Sequence, residues 1–154
     1  MKDQGVRTNM TDVRSSSGAG SEDRGAASAG REPGLAKGSI VGQAVTDASH
    51  LYEVERRARH AERPGFRISE LQISPQQQVP WHYHTNVVDT FYVLQGEIRL
   101  FLRDPKEDVR LTPGETYAVR AGRPHLVTNP GTSSATFLVL QGIGEYDYVP
   151  LVDR

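Results

Sequence analysis

Cysteine is absent from the 154 residues, which excludes disulfides, zinc–thiolate sites and cysteine nucleophiles. Net charge is nearly absent as well. The 18 Lys and Arg against 19 Asp and Glu leave −1, which gives no reason to expect nucleic acid or an anionic membrane as a partner. No apolar run approaches the length needed to cross a bilayer. Met1 to Gly5 leads into no apolar stretch, so no signal peptide is read and a cytoplasmic protein is the expectation. Aromatic residues are missing from the opening of the chain: the single Trp, six Tyr and four Phe all lie at Tyr52 or later. Residues 1–38 are instead small and polar, as in Ser15 to Ser21 and Gly25 to Gly30. Such a segment buries too little apolar surface to offset the entropy of ordering it, and a disordered tail is expected there.

What remains is enough for one domain with a single core. Residues 39–65 read as a lead-in. Ser39 to Val45 suits an added edge strand. Leu51, Val54, Ala58 and Ala61 recur at helical spacing, with Thr46 or Asp47 as a cap and Pro64-Gly65 as a stop. A short helix is the reading, although a strand with charged flanks fits nearly as well. Arg56, Arg57 and Arg59 read as a solvated face, and His50 and His60 have no ligand spacing to any partner.

From Phe66 onward the chain becomes short strands at regular intervals. Phe66 to Ile73 alternates, with Arg67, Ser69, Leu71 and Ile73 sharing one face. Glu97 to Arg103 alternates Ile98, Leu100 and Leu102 against Arg99, Phe101 and Arg103. Asp104 to Asp108 is a turn by composition. Val109 to Leu111, Thr116 to Val119 and Ala135 to Gln141 continue the pattern, divided by Pro113-Gly114 and Pro130-Gly131. Many short strands between Pro-Gly turns predict an all-β sandwich or barrel over residues 66–154. Gly144 to Leu151 is expected to run along the outside.

The chemistry concentrates between Trp81 and Asn129. His82 and His84 sit one residue apart, and on a strand they share a face. Two imidazoles on one face suit a single cation. Asp89 follows a segment long enough to turn back, then Thr90 to Leu94 reads as a buried strand and Gly96 as a turn. Downstream, Gly114, Gly122, His125 and Asn129 punctuate a second strand and turn.

Together the two stretches resemble the paired motifs of the cupin superfamily. His82, His84 and Gly96 match the first, with Asp89 where the family has glutamate. Gly114, Gly122, His125 and Asn129 match the second. The first motif's opening glycine is Gln76 here, and the second motif's proline is Arg120. The resemblance covers roughly Phe66 to Val149 and implies a jelly-roll barrel.

It also implies that His82, His84 and His125 converge on one divalent metal ion: Fe, Mn, Zn or Ni. A fourth ligand from Asp89 would favour Fe or Mn. The alternative role for Asp89 is a hydrogen bond to His82 or to a metal-bound water. Alternation from these ligands puts Phe91, Val93 and Val127 on the pocket wall, joined by Phe137 and Val139 or by Leu138 and Leu140. Trp81 and Tyr83 face the other way, to pack against a second subunit or, as the alternative, to line an opening. Arg120 and Arg123 flank the third histidine and could steer an anion, although arginines in turns mostly do nothing specific. A metal-dependent enzyme acting on a small organic molecule by dioxygenase-type chemistry is the leading expectation. A non-catalytic ligand-binding protein, or a metal-dependent isomerase or lyase, is the alternative, since the fold hosts all of these. A homodimer is expected, because pairing hides edge-strand backbone groups.

Overall fold

The computed structural model describes residues 39–152; the tail expected over residues 1–38 lies outside them. The described residues form eleven strands. In chain order these are β1 (Ile40–Val41), β2 (Arg56–Arg63), β3 (Phe66–Ile73), β4 (Gln78–Tyr83), β5 (Val88–Gln95) and β6 (Ile98–Leu102). Then come β7 (Glu107–Leu111), β8 (Thr116–Val119), β9 (His125–Thr128), β10 (Ala135–Gly142) and β11 (Val149–Val152). They make two antiparallel sheets, ordered β1-β11-β4-β9-β6-β7 and β2-β3-β10-β5-β8. This is the all-β jelly-roll expected from the sequence.

The alternation read from the residues is what builds the core. Ile98, Leu100 and Leu102 of β6 are fully buried, as are Ile73, Val93 and Phe137 from the facing sheet. Each such side chain contributes on the order of 1.5–3 kcal/mol on leaving water. The opposite face of the six-stranded sheet carries a smaller cluster of Trp81, Phe101 and Leu126, with Leu151 against it. Trp81 therefore packs within its own chain, under the Arg103 guanidinium 5.0 Å from its ring, and lines no cavity of the site.

Two expectations are corrected. The helix over the lead-in is absent: Arg56–Arg63 is a strand paired with β3, and Pro64-Gly65 is the hairpin turn between Arg63 and Phe66. The register shifts between Arg59 and Ala61. One extra residue in a strand turns a period of two into an apparent period of three. Ala58 and Ala61 are consequently the two half-buried positions of β2, which mimics helical spacing. The second half of the lead-in thus belongs to the five-stranded sheet, while Ile40–Val41 is the added edge strand, on the six-stranded sheet.

The second correction concerns the C-terminal stretch, which does not run outside. Tyr148 is buried, Val149–Val152 pairs with β4 and β1, and Val45 bridges to Tyr148. Two tyrosines at alternate positions, Tyr146 and Tyr148, face inward over the histidines.

Candidate metal centre

The site is assembled from both sheets. His82 is on β4 and stands directly across from His125, the first residue of β9. His84 lies just beyond the end of β4, and its carbonyl accepts from the Gly122 amide at 2.7 Å. Asp89 comes from β5 in the facing sheet, opposite Gln141 of β10. All four side chains are buried, and one donor atom from each lies within 4.8 Å of every other.

A bulge sets the first ligand. Val79 and His82 are three residues apart, yet both face inward, because the β4–β9 register shifts between them. Pro80 sits within that shift, and its carbonyl accepts from His82 Nδ1 at 2.7 Å. The other two rings are fixed in the same manner. His125 Nδ1 donates to the Arg123 carbonyl at 3.0 Å, and His84 Nδ1 donates to the Asp147 carbonyl. A carbonyl can only accept, so each Nδ1 carries a proton, and in the neutral ring Nε2 then presents its lone pair. That is the tautomer a metal requires, held by outer partners that fix ring direction.

The carboxylate reaches the same point. Asp89 Oδ2 lies 2.9 Å from His84 Nε2 and 3.3 Å from His125 Nε2. Two ligands at right angles around one ion, each about 2.1 Å from it, stand about 3.0 Å apart. Asp89 Oδ1 accepts from Gln141 Nε2 at 2.8 Å. His125 Nε2 is buried and makes no hydrogen bond. An unbonded imidazole lone pair facing a buried carboxylate is two acceptors in search of a cation. The four residues fit a divalent ion on that ground.

The electrostatics agree. Burial, reinforced by His125 and His84, holds the His82 imidazole well below its ordinary value, so it stays neutral. Burial pushes the Asp89 carboxyl up, but the adjacent His84 charge more than offsets this and keeps it ionised. Burial also opposes a charge on His84, and Asp89 beside it wins and raises its pKa. The charged His84 donates through Nε2 to Asp89 Oδ2 at 2.9 Å, and a divalent ion held here would take that proton's place.

Above the donors is a small cavity of about 30 Å³, with Phe91, Val127, Phe137 and Val139 on its apolar side. Phe91 and Val127 lie where alternation put them, and of the two choices for β10 the structure takes Phe137 and Val139. Val93 is different: it is fully buried in the core and does not reach the cavity. The wall is also less apolar than expected. Gln141, Tyr52, Tyr146 and Tyr148 also line it, and the Tyr148 ring stacks on His82 at 4.3 Å. A larger cleft of about 450 Å³ adjoins, sharing Tyr52, Leu71, Val139, Gln141 and Tyr146 with the cavity.

The flanking arginines do not line either space. Arg123 is buried and ties down the turn before β7, donating to the carbonyls of Arg103 and Pro105 and to Glu107. Arg120 donates to the Asp104 carbonyl. Asn129, matched to the second motif, pins its own turn: it donates to the Ile73 and Ser133 carbonyls and accepts from the Gly131 amide.

The sequence matches the cupin domain family over residues 69–146, half of the chain, and the chain belongs to that family. No curated protein matches it by sequence. Among solved structures, a conserved protein with a double-stranded β-helix domain from Klebsiella pneumoniae is similar. It has 20% identity, covers 64% of this chain and 84% of its own, and has a TM-score of 0.56. An oxalate oxidase is also similar, at 20% identity over 56% of this chain and 46% of its own, with a TM-score of 0.52. This chain thus spans under half of that enzyme. At such identities the likeness speaks for the fold.

Proposed function

We propose that the chain is a metal-dependent enzyme. It holds one divalent cation, iron or manganese, on His82, His84, His125 and Asp89, and performs dioxygenase-type chemistry on a small organic molecule. The observation that carries this reading is the convergence of three Nε2 atoms and one ionised carboxylate on a single buried point, with every Nδ1 tied to a backbone carbonyl. A carboxylate among imidazoles favours iron or manganese over the metals that an all-nitrogen set prefers.

The bound ion would supply Lewis acidity and a redox partner for dioxygen. The chain's own residues supply the rest. Phe91, Val127, Phe137 and Val139 keep one side of the small cavity apolar, which suits a small, weakly hydrated reactant better than bulk water. Gln141 holds the Asp89 carboxylate in place through Oδ1. The adjoining cleft has the volume of a small-molecule site.

The test is metal analysis of the purified chain, followed by oxygen uptake against a panel of small phenols, diketones and hydroxy acids. One divalent ion per chain and oxygen consumption with at least one compound are expected. A loaded chain that turns over nothing in the panel would favour the non-catalytic binding reading.

A further inference from the structure

We propose that the cleft takes its substrate as a small organic anion, with a carboxylate or similar group seated on Arg67. This names the substrate class for the site and rests on the enzymatic reading above. Arg67 is half-buried on β3 and lines the cleft. Its guanidinium carbon lies 3.1 Å from the centroid of the Tyr146 ring, which holds the plane in position. Its Nε donates to Gln141 Oε1 at 2.6 Å. Beyond Gln141 and Tyr146, no described side chain bonds the guanidinium, and no described carboxylate is in ion-pair contact with it.

The other charges of the cleft are committed elsewhere. Glu62 pairs with Arg59 at 2.9 Å. Glu70 pairs with Arg56 and with His60, and Asp47 accepts from the Ser49 amide at 2.8 Å. Arg57 donates to the Tyr52 carbonyl and lies over the Tyr52 ring. Arg67 is therefore the half-buried cation whose fork is open to a ligand, and a guanidinium fork matches a carboxylate.

Arg67 is also wired to the metal centre. Gln141 accepts from Arg67 and donates to Asp89 Oδ1. Arginine can only donate and an ionised carboxylate can only accept, so the amide has one orientation. An anion on Arg67 is thereby placed beside Gln141 and Tyr146, the residues through which the cleft meets the small cavity. The rest of the molecule extends past Leu71 and Val139 toward the histidines.

Benzoate and its neutral analogue benzamide are the probes, since a flat ring suits Tyr52, Tyr146 and the apolar wall. Calorimetric titration would compare the metal-loaded wild type with Arg67→Gln, Arg67→Lys and, as a control on exposed β7 outside the cleft, Arg110→Gln, with metal content and thermal midpoint measured on each. Wild type should bind benzoate at least about tenfold more tightly than benzamide, as expected for a charge-assisted hydrogen bond. Arg67→Gln should lose that preference while keeping its metal, Arg67→Lys should restore part of it, and Arg110→Gln should behave as wild type. Equal binding of the two probes by wild type, binding of neither, or an unchanged preference in Arg67→Gln would overturn the proposal. A wild type that takes up no metal would instead overturn the enzymatic reading, and the probe titrations separate the two failures.

Discussion

Each side chain of the centre has a second atom that decides what the first can do. His125 shows this most directly: its Nδ1–H is spent on the Arg123 carbonyl, and its buried Nε2 makes no hydrogen bond. His125→Ala should lower metal affinity by about an order of magnitude or more, comparable to or larger than the loss of an outer partner. Metal content after dialysis against a graded chelator would check it, and full occupancy would remove His125 from the set. Asp89 raises a finer point. A side chain one methylene shorter than the family's glutamate reaches to 2.9 Å of His84 Nε2, so added length is not needed. Asp89→Asn keeps the shape and the bond from Gln141 but removes the charge, and should weaken metal binding at least about tenfold. Asp89→Glu should keep the metal with no gain, because an extra methylene in a filled interior costs about 1–3 kcal/mol. Unchanged affinity in Asp89→Asn would leave a three-histidine site.

At the scale of elements, the turns fix which residues face inward. Gly96, between β5 and β6, has φ +74, and a Cβ there would stand 2.8 Å from the Ser134 carbonyl oxygen and 2.9 Å from Ala135 Cα. Gly114 has φ +87 but open space around it. Gly114→Ala should therefore cost only the left-handed strain, about 1–2 kcal/mol. Gly96→Ala should cost clearly more, since backbone must move as well. Chemical denaturation of the two variants would compare them, and equal losses would show that the β10 backbone yields easily. The same scale explains a misreading. The extra residue near His60 gave β2 an apparent period of three, and an isolated sequence offers nothing that separates a bulged strand from a short helix.

For the whole molecule, the exposed edges bear on self-association. Edge strand β2 carries Arg56, Arg57, Arg59, Glu62 and Arg63, and edge strand β1 has two residues. Charge and shortness both discourage strand addition. Tyr92 and Leu94, by contrast, leave apolar surface exposed on β5. The dimer expected from the sequence would then form through a sheet face. Sedimentation velocity over a wide concentration range is expected to show it, and Leu94→Glu to weaken it; monomer throughout would remove the expectation.

How much of this was legible beforehand follows from what is local. Strand alternation depends only on neighbouring residues, and it put Ile98, Leu100 and Leu102 in the core and His82 with His84 on one face. The spacing of two motifs brought in His125 and Asp89. Gln141 and Arg67 were within reach of the same counting: Gln141 continues the every-second-residue series of Phe137 and Val139, and Arg67 was already on the face with Leu71. What alternation could not show was that β3 and β10 lie side by side, since that pairing joins residues far apart in the chain. Tyr146 and Tyr148 carried an alternation signal too, but only the return of β11 beside β4 turned it inward. The sequence by itself determined the all-β class, through local periodicity, and pointed to the jelly-roll and the four candidate ligands through its resemblance to the cupin motifs. The Pro80 and Arg123 carbonyls that hold His82 and His125 are local, but tertiary structure alone decided the tautomer of His84, the chain from Arg67 through Gln141 to Asp89 and the closing of the cavity, because each depends on a carbonyl or side chain supplied by a distant segment.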